Sequence, residues 1–278
     1  MEQLAEWVRK RDRVLVMGVL NVTPDSFYDG GKHATVSDAV GHALAMVEEG
    51  ADIVDVGGAS SRPGAYPVGV DEELERVGPV IEGIRARSDV AISVDTTWAA
   101  VARAAIASGA GMVNDISALR FDPDLASVVA EMGVFAVLMH MQGDPQSMQV
   151  SPSYANPVGE IRSFLKERLQ AAVEAGISGE RLIVDPGIGF GKRLAHNLAI
   201  LRNLSEFTSL GAPLLVGVSR KRFLGEILLD LPLSERLEGT IAVNAIAVAR
   251  GADILRVHDV KEGRRTADVA RRLRSDAT

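Results

Sequence analysis

The chain has 278 residues and a formal net charge of −7, and hydrophobic residues make up 47% of it. This composition supports a packed globular core and argues against intrinsic disorder. The chain contains no cysteine, which excludes a disulfide framework and a thiolate nucleophile. A net-acidic chain without a signal-peptide core or an apolar run of about 18 residues is expected to be cytoplasmic, with no membrane and no nucleic-acid partner.

One sequence pattern recurs along the chain: the end of a helix, a glycine, and then an apolar run that closes on a polar residue. It occupies 48–57, 107–116, 131–140, 174–187 and 249–259. A glycine suits the left-handed position after a helix, and an apolar run without alternation suits a strand buried on both faces. Three further apolar runs, at 14–20, 90–94 and 213–217, bring the predicted strands to eight.

Eight αβ units in 278 residues predict an α/β protein, a single-domain (β/α)8 TIM barrel over 1–278, because such barrels usually have about 250 residues. The first inter-strand helix is predicted to begin at an N-cap on Ser37. Long flexible loops are expected after strands 1 and 2, over 21–36 and 57–70. A doubly wound sheet is the alternative, but NVTPDSF follows the first strand where that fold normally has a glycine-rich turn.

Polar residues close the predicted strands. They are Asn21, Asp55, Asp95, Asn114, Asp115, His140, Asp185, Ser219, Arg256 and His258. Any one of them could cap the helix that follows. In a barrel, however, the carboxyl ends of all strands meet at one rim, where active sites are built, so the set predicts a functional site.

The chemistry of this rim predicts a ligand with two different ends. The run SRKRFLG at 219–225 follows strand seven, and Arg256 and His258 close strand eight, which is where barrels often bind phosphate. Asp95 and Asp185 suit a flat, N–H-rich heterocycle. A glycosidase carboxylate pair is the alternative, and spacing alone leaves it open, although the chain has only two Trp and three Tyr for sugar stacking.

Seven motifs in order resemble the dihydropteroate synthase family over nearly the whole chain. They are GVLNVTPDSF (18–27), GGASSRPG (57–64), ISVDT (92–96), MVNDIS (112–117), DPGIGFGK (185–192), SRKRFLG (219–225) and RVHDV (256–260). The resemblance implies a TIM-barrel transferase that joins 6-hydroxymethyl-7,8-dihydropterin pyrophosphate to p-aminobenzoate in folate synthesis. It also implies Mg2+ as the cofactor and a homodimer.

The family pattern implies a role for each matching residue. Pterin contacts are expected from Asp95, Asn114, Asp185 and Lys221, and pyrophosphate contacts from Ser61, Arg256 and His258. Asn21 is the expected Mg2+ ligand. The expected p-aminobenzoate site comprises Phe27, Ser61, Arg62, Pro63, Phe190, Ser219 and Lys221. The expected catalytic set is Asp95, Lys221, Arg256 and His258, with pyrophosphate leaving before the amine attacks.

Three positions depart from the family pattern: Tyr28, Ala59 and Ser61. They lie on or beside the two long loops, so they bear on p-aminobenzoate affinity and sulfonamide sensitivity. Two alternatives remain, a methyltetrahydrofolate barrel that methylates a corrinoid protein and a catalytically silent pterin-binding subunit. The SRKRFLG and RVHD runs favour the synthase over the methyltetrahydrofolate barrel, which needs no pyrophosphate ligands. The presence of all seven motifs favours it over the silent subunit.

Overall fold

The computed structural model describes residues 2–23, 35–59 and 68–274. Its sheet has eight parallel strands: β1 (Leu15–Asn21), β2 (Ile53–Gly57), β3 (Ala91–Asp95), β4 (Met112–Asp115), β5 (Phe135–Met139), β6 (Leu182–Asp185), β7 (Leu215–Val216) and β8 (Ile254–Val257). They are hydrogen-bonded in the order β6-β5-β4-β3-β2-β1-β8-β7. The Val184 N–H donates to the Pro213 carbonyl at 2.9 Å, which joins β6 to the segment before β7. The predicted (β/α)8 barrel is confirmed.

Helices alternate with these strands, and all except the first lie on the outside of the barrel. They are α1 (Glu2–Lys10), α2 (Val36–Glu48), α3 (Val70–Arg85), α4 (Ala99–Ala107), α5 (Leu125–Met132), α6 (Pro157–Glu174), α7 (Leu194–Arg202), α8 (Arg222–Ile227), α9 (Leu237–Ala249) and α10 (Val260–Leu273). Short 3-10 helices occupy Gly179–Arg181, Leu204–Leu210 and Leu233–Glu235. Within the described ranges, no helix has the length and apolar character needed to cross a membrane.

Two boundary predictions were wrong. The N-cap of α2 is Thr35 and not Ser37: the Thr35 hydroxyl accepts the Asp38 N–H at 3.2 Å, and the Asp38 carboxylate accepts the Thr35 N–H at 3.0 Å. Ser37 has no such partner, because the residue three positions later is Val40. Strand β7 has two residues rather than the predicted five over 213–217. Pro213 has no N–H to donate to a ladder, and the Leu214 N–H donates to the Asp253 carboxylate instead.

The barrel interior changes from apolar to polar along its axis. At its amino-terminal end, Leu4, Trp7 and Val8 of α1 pack in one buried cluster with strand residues such as Met17 and Ile53. Helix α1 therefore closes this end of the barrel. Because successive strand side chains alternate between the two faces, the next inward position on β2 is Asp55. Polar groups consequently gather toward the carboxyl-terminal rim.

Candidate active site

Four residues from the carboxyl-terminal halves of four strands form one hydrogen-bonded network in the barrel mouth. Arg256 Nε donates to Asp55 Oδ2 at 2.7 Å, and Arg256 Nη2 donates to Asp95 Oδ2 at 2.7 Å. Asn114 Nδ2 donates to the same Asp55 oxygen at 2.9 Å. The structure thus brings together Asp95, Asn114 and Arg256, which were predicted as site residues. Asp55 is the fourth member, which was predicted to lie at the rim but without a specific role.

The sequence pattern placed Asp55 at the rim, but its partners there were not predicted. Asp55 lies inside the apolar strand IVDVG, and the structure buries its side chain completely. A fully buried carboxylate is costly unless it is paired and hydrogen-bonded. An ionisable residue in the middle of a buried strand therefore marks a partner that must come from elsewhere in the fold, here Asn114 and Arg256.

The environment of this network shifts its ionisation. Burial raises the pKa of Asp95 to about 7, and the Arg256 guanidinium opposes this shift. The nearby carboxylates of Asp55, Glu73 and Asp115 raise the same pKa further. Burial also disfavours the cationic form of Arg256, but the carboxylates of Asp55 and Asp95 outweigh it and raise the pKa of Arg256 above its ordinary value. The mouth therefore holds a permanent cation against a titratable carboxylate.

Asp185 and Lys221 occupy the neighbouring side of the mouth. Asp185, buried at the end of β6, accepts the Gly187 N–H at 2.7 Å. Lys221 Nζ donates to the Ile188 carbonyl and lies 4.6 Å from the centre of the Phe190 ring. Burial lowers the pKa of Lys221 to about 8, and the Asp185 carboxylate opposes that shift. These three predicted residues, Asp185, Phe190 and Lys221, are thus brought together.

Two glycines leave space beside the predicted residues. A Cβ on Gly217, just after β7, would lie 3.6 Å from Arg256 Cβ and 3.9 Å from Lys221 Nζ. A Cβ on Gly57, at the end of β2, would lie 3.4 Å from Asp95 Cβ and 3.8 Å from Asn21 Oδ1. The absence of side chains at these positions therefore opens the mouth between its charged groups.

Asn21 provides an oxygen donor at the same rim. Its amide oxygen and the Asp95 side chain flank the gap above Gly57. Amide and carboxylate oxygens suit a hard divalent cation, which usually keeps several waters or ligand oxygens. Among the described residues, no group of three His, Asp or Glu side chains could hold a metal ion. The Asn21 amide oxygen and the Asp95 carboxylate are thus the oxygen atoms at this rim that suit a hard divalent cation.

Ser219 and His258 join the ends of β7 and β8. The buried Ser219 hydroxyl lies 3.0 Å from His258 Nδ1 and accepts the His258 N–H at 3.1 Å. The basic run after β7 does not act as one cluster. Arg220 turns to Asp259, with two bonds of 2.8 Å. Of residues 220–222, only Lys221 contacts the β6 loop and lies beside Arg256.

The role of Lys192 was not predicted from the sequence. Its motif lacks the glycine spacing of a phosphate loop, so the sequence predicts only a tight turn presenting Phe190. That turn is present, with a left-handed φ of +67° at Gly187. The buried Lys192 Nζ lies 3.0 Å from His140 Nδ1 and donates to the Phe190 carbonyl at 2.9 Å, so Lys192 anchors the turn. Burial lowers the pKa of His140 to about 2, and the Lys192 charge adds to the effect.

Four predicted site residues lie outside the described residues, as does Tyr28. They are Phe27, Ser61, Arg62 and Pro63. Their assignment to the p-aminobenzoate and pyrophosphate sites stays a prediction. The described part of the site accordingly consists of the barrel mouth itself, without the central parts of the two long loops that follow β1 and β2.

Comparison with known proteins identifies the family. Residues 17–258 match the family described as pterin binding enzyme. The chain is 50% identical over 247 residues to the dihydropteroate synthase of Escherichia coli K12, covering 89% of this chain and 87% of that protein. It is 47% identical over 260 residues to that of Synechocystis sp. PCC 6803, covering 94% and 89%.

Solved structures of dihydropteroate synthases have the same fold as this chain. Yersinia pestis dihydropteroate synthase in a sulfonamide drug complex has a TM-score of 0.90 and 46% identity, covering 95% of this chain and 96% of that one. The Xanthomonas albilineans enzyme in complex with 7,8-dihydropteroate has a TM-score of 0.86 and 45% identity, covering 95% of each chain. The chain therefore belongs to the pterin-binding enzymes and, within them, to the dihydropteroate synthase family.

Proposed function

We propose that the protein is a transferase of folate biosynthesis that condenses 6-hydroxymethyl-7,8-dihydropterin pyrophosphate with p-aminobenzoate. The products are 7,8-dihydropteroate and pyrophosphate. The observation that carries the proposal is the network in which Arg256 bonds to Asp55 and Asp95 beside Lys221. This network places carboxylates for a heterocycle next to cations for a leaving anion. Related enzymes have been solved with 7,8-dihydropteroate and with 4-aminobenzoic acid.

The pterin ring would bind to the carboxylate side of the mouth. Asp95, Asn114 and Asp185 present oxygen acceptors for the N–H groups of the ring, and each ionised carboxylate can accept two such bonds. Lys221 lies between the β6 loop and Arg256, so its ammonium group can reach both the pterin and the p-aminobenzoate regions.

The pyrophosphate would lie on the cationic side. Arg256 and His258 close β8 at the rim, and Ser61 is assigned to the same group from the family pattern. Asn21 would hold Mg2+, which supplies positive charge to the leaving pyrophosphate when bound. Charge-assisted bonds from Arg256 stabilise the negative charge that develops on the bridging oxygen as the C–O bond breaks.

The C–O bond would break before the new C–N bond forms. Loss of pyrophosphate leaves a cationic methylene pterin, and the Asp95 carboxylate stabilises this positive charge. The amine of p-aminobenzoate is already neutral at pH 7, so it attacks without prior removal of a proton, and the anilinium that forms then gives its proton to water or to the departing pyrophosphate. Catalysis then requires no covalent bond between substrate and enzyme.

The p-aminobenzoate would lie between the β6 and β7 loops. The Phe190 ring lies 4.6 Å from Lys221 Nζ. The Phe190 ring can contact the ring of the substrate, and the Lys221 ammonium group can contact its carboxylate. The Ser219 hydroxyl lies beside this region and contacts His258 Nδ1 at 3.0 Å. Phe27, Ser61, Arg62 and Pro63 complete the proposed site from the two long loops.

The proposal includes a homodimer, which the family resemblance implies, and a cytoplasmic location, which the sequence composition favours. Ile227, Leu229 and Ile246, on and beside α8 and α9, are exposed apolar side chains that such a contact would cover. Light scattering on the purified protein tests this part, and a monomer at micromolar concentration would contradict it.

One assay tests the activity. Purified protein is incubated with both substrates and Mg2+, and dihydropteroate and pyrophosphate are quantified together. Equal amounts of both products, abolished by a chelator and restored by Mg2+, are expected. A protein that binds dihydropteroate but forms none would be a silent homologue. Methyl transfer from methyltetrahydrofolate to a corrinoid would instead identify the related methyltransferase.

A further inference from the structure

Asp55 lies at the centre of the network but out of reach of a ligand. Its side chain is 0% exposed, whereas the side chains of Asp95 and Arg256 retain 15% and 20% of their surface. One oxygen of Asp55 accepts bonds from both Asn114 and Arg256. A substrate can therefore touch the partners of Asp55 while Asp55 itself remains beneath them.

We propose that Asp55 is a positioning residue, which orients the Asn114 amide and the Arg256 guanidinium for binding of the pterin substrate. The inference rests on the proposed function and extends it to a residue that does not contact substrate. Two separate geometric arguments support it, one for each partner.

The first argument concerns the amide of Asn114. An amide can turn over and exchange its donor and acceptor ends, which would reverse the pattern offered to a heterocycle. An ionised carboxylate only accepts hydrogen bonds, so Asp55 holds the Nδ2 end at 2.9 Å and repels the Oδ1 end. Asp55 thereby selects one of the two amide orientations of Asn114. A pterin edge, with its fixed order of donors and acceptors, requires one orientation.

The second argument concerns the guanidinium of Arg256. Its Nε and Nη2 atoms lie on one edge of the planar group, and they bond to Asp55 and Asp95 respectively, each at 2.7 Å. No hydrogen bond joins Nη1 to any part of the chain that the structure describes. Since the guanidinium is rigid, two fixed donors determine the direction of the third. Asp55 thus helps to aim Nη1 as a donor toward an anionic ligand.

A double-mutant cycle tests the role through Asn114. The four proteins are the wild type, Asp55→Ala, Asn114→Ala and the double variant, and calorimetry measures the Kd for 7,8-dihydropteroate. Asp55→Ala is expected to raise this Kd about tenfold or more, because a charge-assisted bond and the amide orientation are lost. In the Asn114→Ala background the same change should raise it less than about threefold.

The kinetic readout separates positioning from general damage. Asp55→Ala should raise KM for the pterin substrate about tenfold and KM for p-aminobenzoate less than about threefold. Asp253→Ala is the matched control, because Asp253 is also a buried carboxylate, and it accepts the Leu214 N–H. Asp253 precedes β8 and therefore lies at the opposite end of the barrel from the site. It should lower the melting temperature without this selective change in KM.

Clear results would overturn the proposal. Full additivity in the cycle, or an equal rise in both KM values, would mean that Asp55 has only a structural role. If Asp55→Ala does not fold, Asp55→Asn replaces it, since the amide keeps the shape and loses the charge, and the same selective loss is expected. The binding cycle needs no turnover, so a wild type that binds dihydropteroate without making it would refute the proposed function alone.

Discussion

Arg256 Nη2 and Asp95 Oδ2 are joined by a 2.7 Å hydrogen bond between residues 161 positions apart in the chain. The bond links the cation proposed to receive the leaving pyrophosphate to the carboxylate proposed to stabilise the cationic pterin. Each group therefore stabilises the charged form of the other. Arg256 opposes the upward shift in the pKa of Asp95, and Asp95 helps to raise the pKa of Arg256. Substitution of either one changes the electrostatics of both halves of the reaction.

Asp95→Asn separates binding from chemistry. The amide oxygen can still accept a bond from Arg256, but it cannot oppose a developing positive charge. We expect kcat to fall by about two orders of magnitude or more, while Kd for the pterin substrate changes only a few fold. Calorimetry and steady-state kinetics check this. Abolished binding with a normal rate at saturation would refute the charge-stabilising role.

Lys221→Ala should abolish most turnover and leave the fold intact. Lys221 links the β6 loop to the mouth through the Ile188 carbonyl and the Phe190 ring. We expect a loss of kcat/KM of about a hundredfold, since a charged donor to substrate is removed. Lys166→Ala, at an exposed position on α6, is the matched control and should be unaffected. Normal activity of Lys221→Ala with an unchanged melting temperature would remove Lys221 from the site.

The pH dependence of kcat/KM should follow the two shifted groups. Asp95 acts as a carboxylate, and its pKa of about 7 means that activity falls as the pH drops below 7. Lys221 acts as a cation, and its pKa of about 8 means that activity falls as the pH rises above 8. The profile is therefore a narrow bell. Asp95→Asn should lose the acid limb and keep the alkaline one, and an unchanged acid limb would assign it elsewhere.

Much of the barrel followed from local patterns. A glycine before five of the eight buried apolar runs marks where a helix ends and a strand begins, and parallel strands in a barrel place their carboxyl ends at one rim. Asp95 and Asn114 could therefore be assigned to a shared site from the sequence alone. The choice between Thr35 and Ser37 as N-cap was harder, because both are capping residues and only the reciprocal bond from Asp38 decides.

Pairing within the rim could not be predicted in the same way. Strand order places β1 between β2 and β8, and Arg256 spans it because its side chain is long enough to reach Asp55. Lys192 likewise acquires its role only when the turn at Gly187 brings Phe190 back toward His140. Side-chain reach and loop path determine these contacts, and neither leaves a periodic signal in the sequence.

Gly187→Ala should destabilise the protein strongly. Gly187 has a φ of +67°, and an added Cβ would lie 1.9 Å from the His140 carbonyl oxygen. Since backbone would have to move, we expect the free energy of unfolding to fall by about 3 kcal/mol or more. Gly41→Ala is the control: Gly41 lies in α2 with nothing within 4 Å of its Cβ position, so it should be neutral or stabilise by up to about 1 kcal/mol. Denaturant titration measures both, and equal effects would contradict the steric argument.

The order of bond breaking and bond making can be tested without p-aminobenzoate. Arg256, His258 and the proposed Mg2+ site at Asn21 stabilise separated charge, and no side chain has been assigned as a base for the amine. If pyrophosphate departs first, the enzyme with Mg2+ should break and re-form the C–O bond of the pterin substrate alone. An 18O label in the oxygen that joins the pterin methylene carbon to phosphorus would then move to the non-bridging positions of the same phosphate. Mass spectrometry or 31P NMR would detect this redistribution of the label. Asp95→Asn should suppress this exchange, because the cationic intermediate loses its counter-charge. Absence of exchange, under conditions where the complete reaction is fast, would favour direct displacement by the amine and refute the dissociative order.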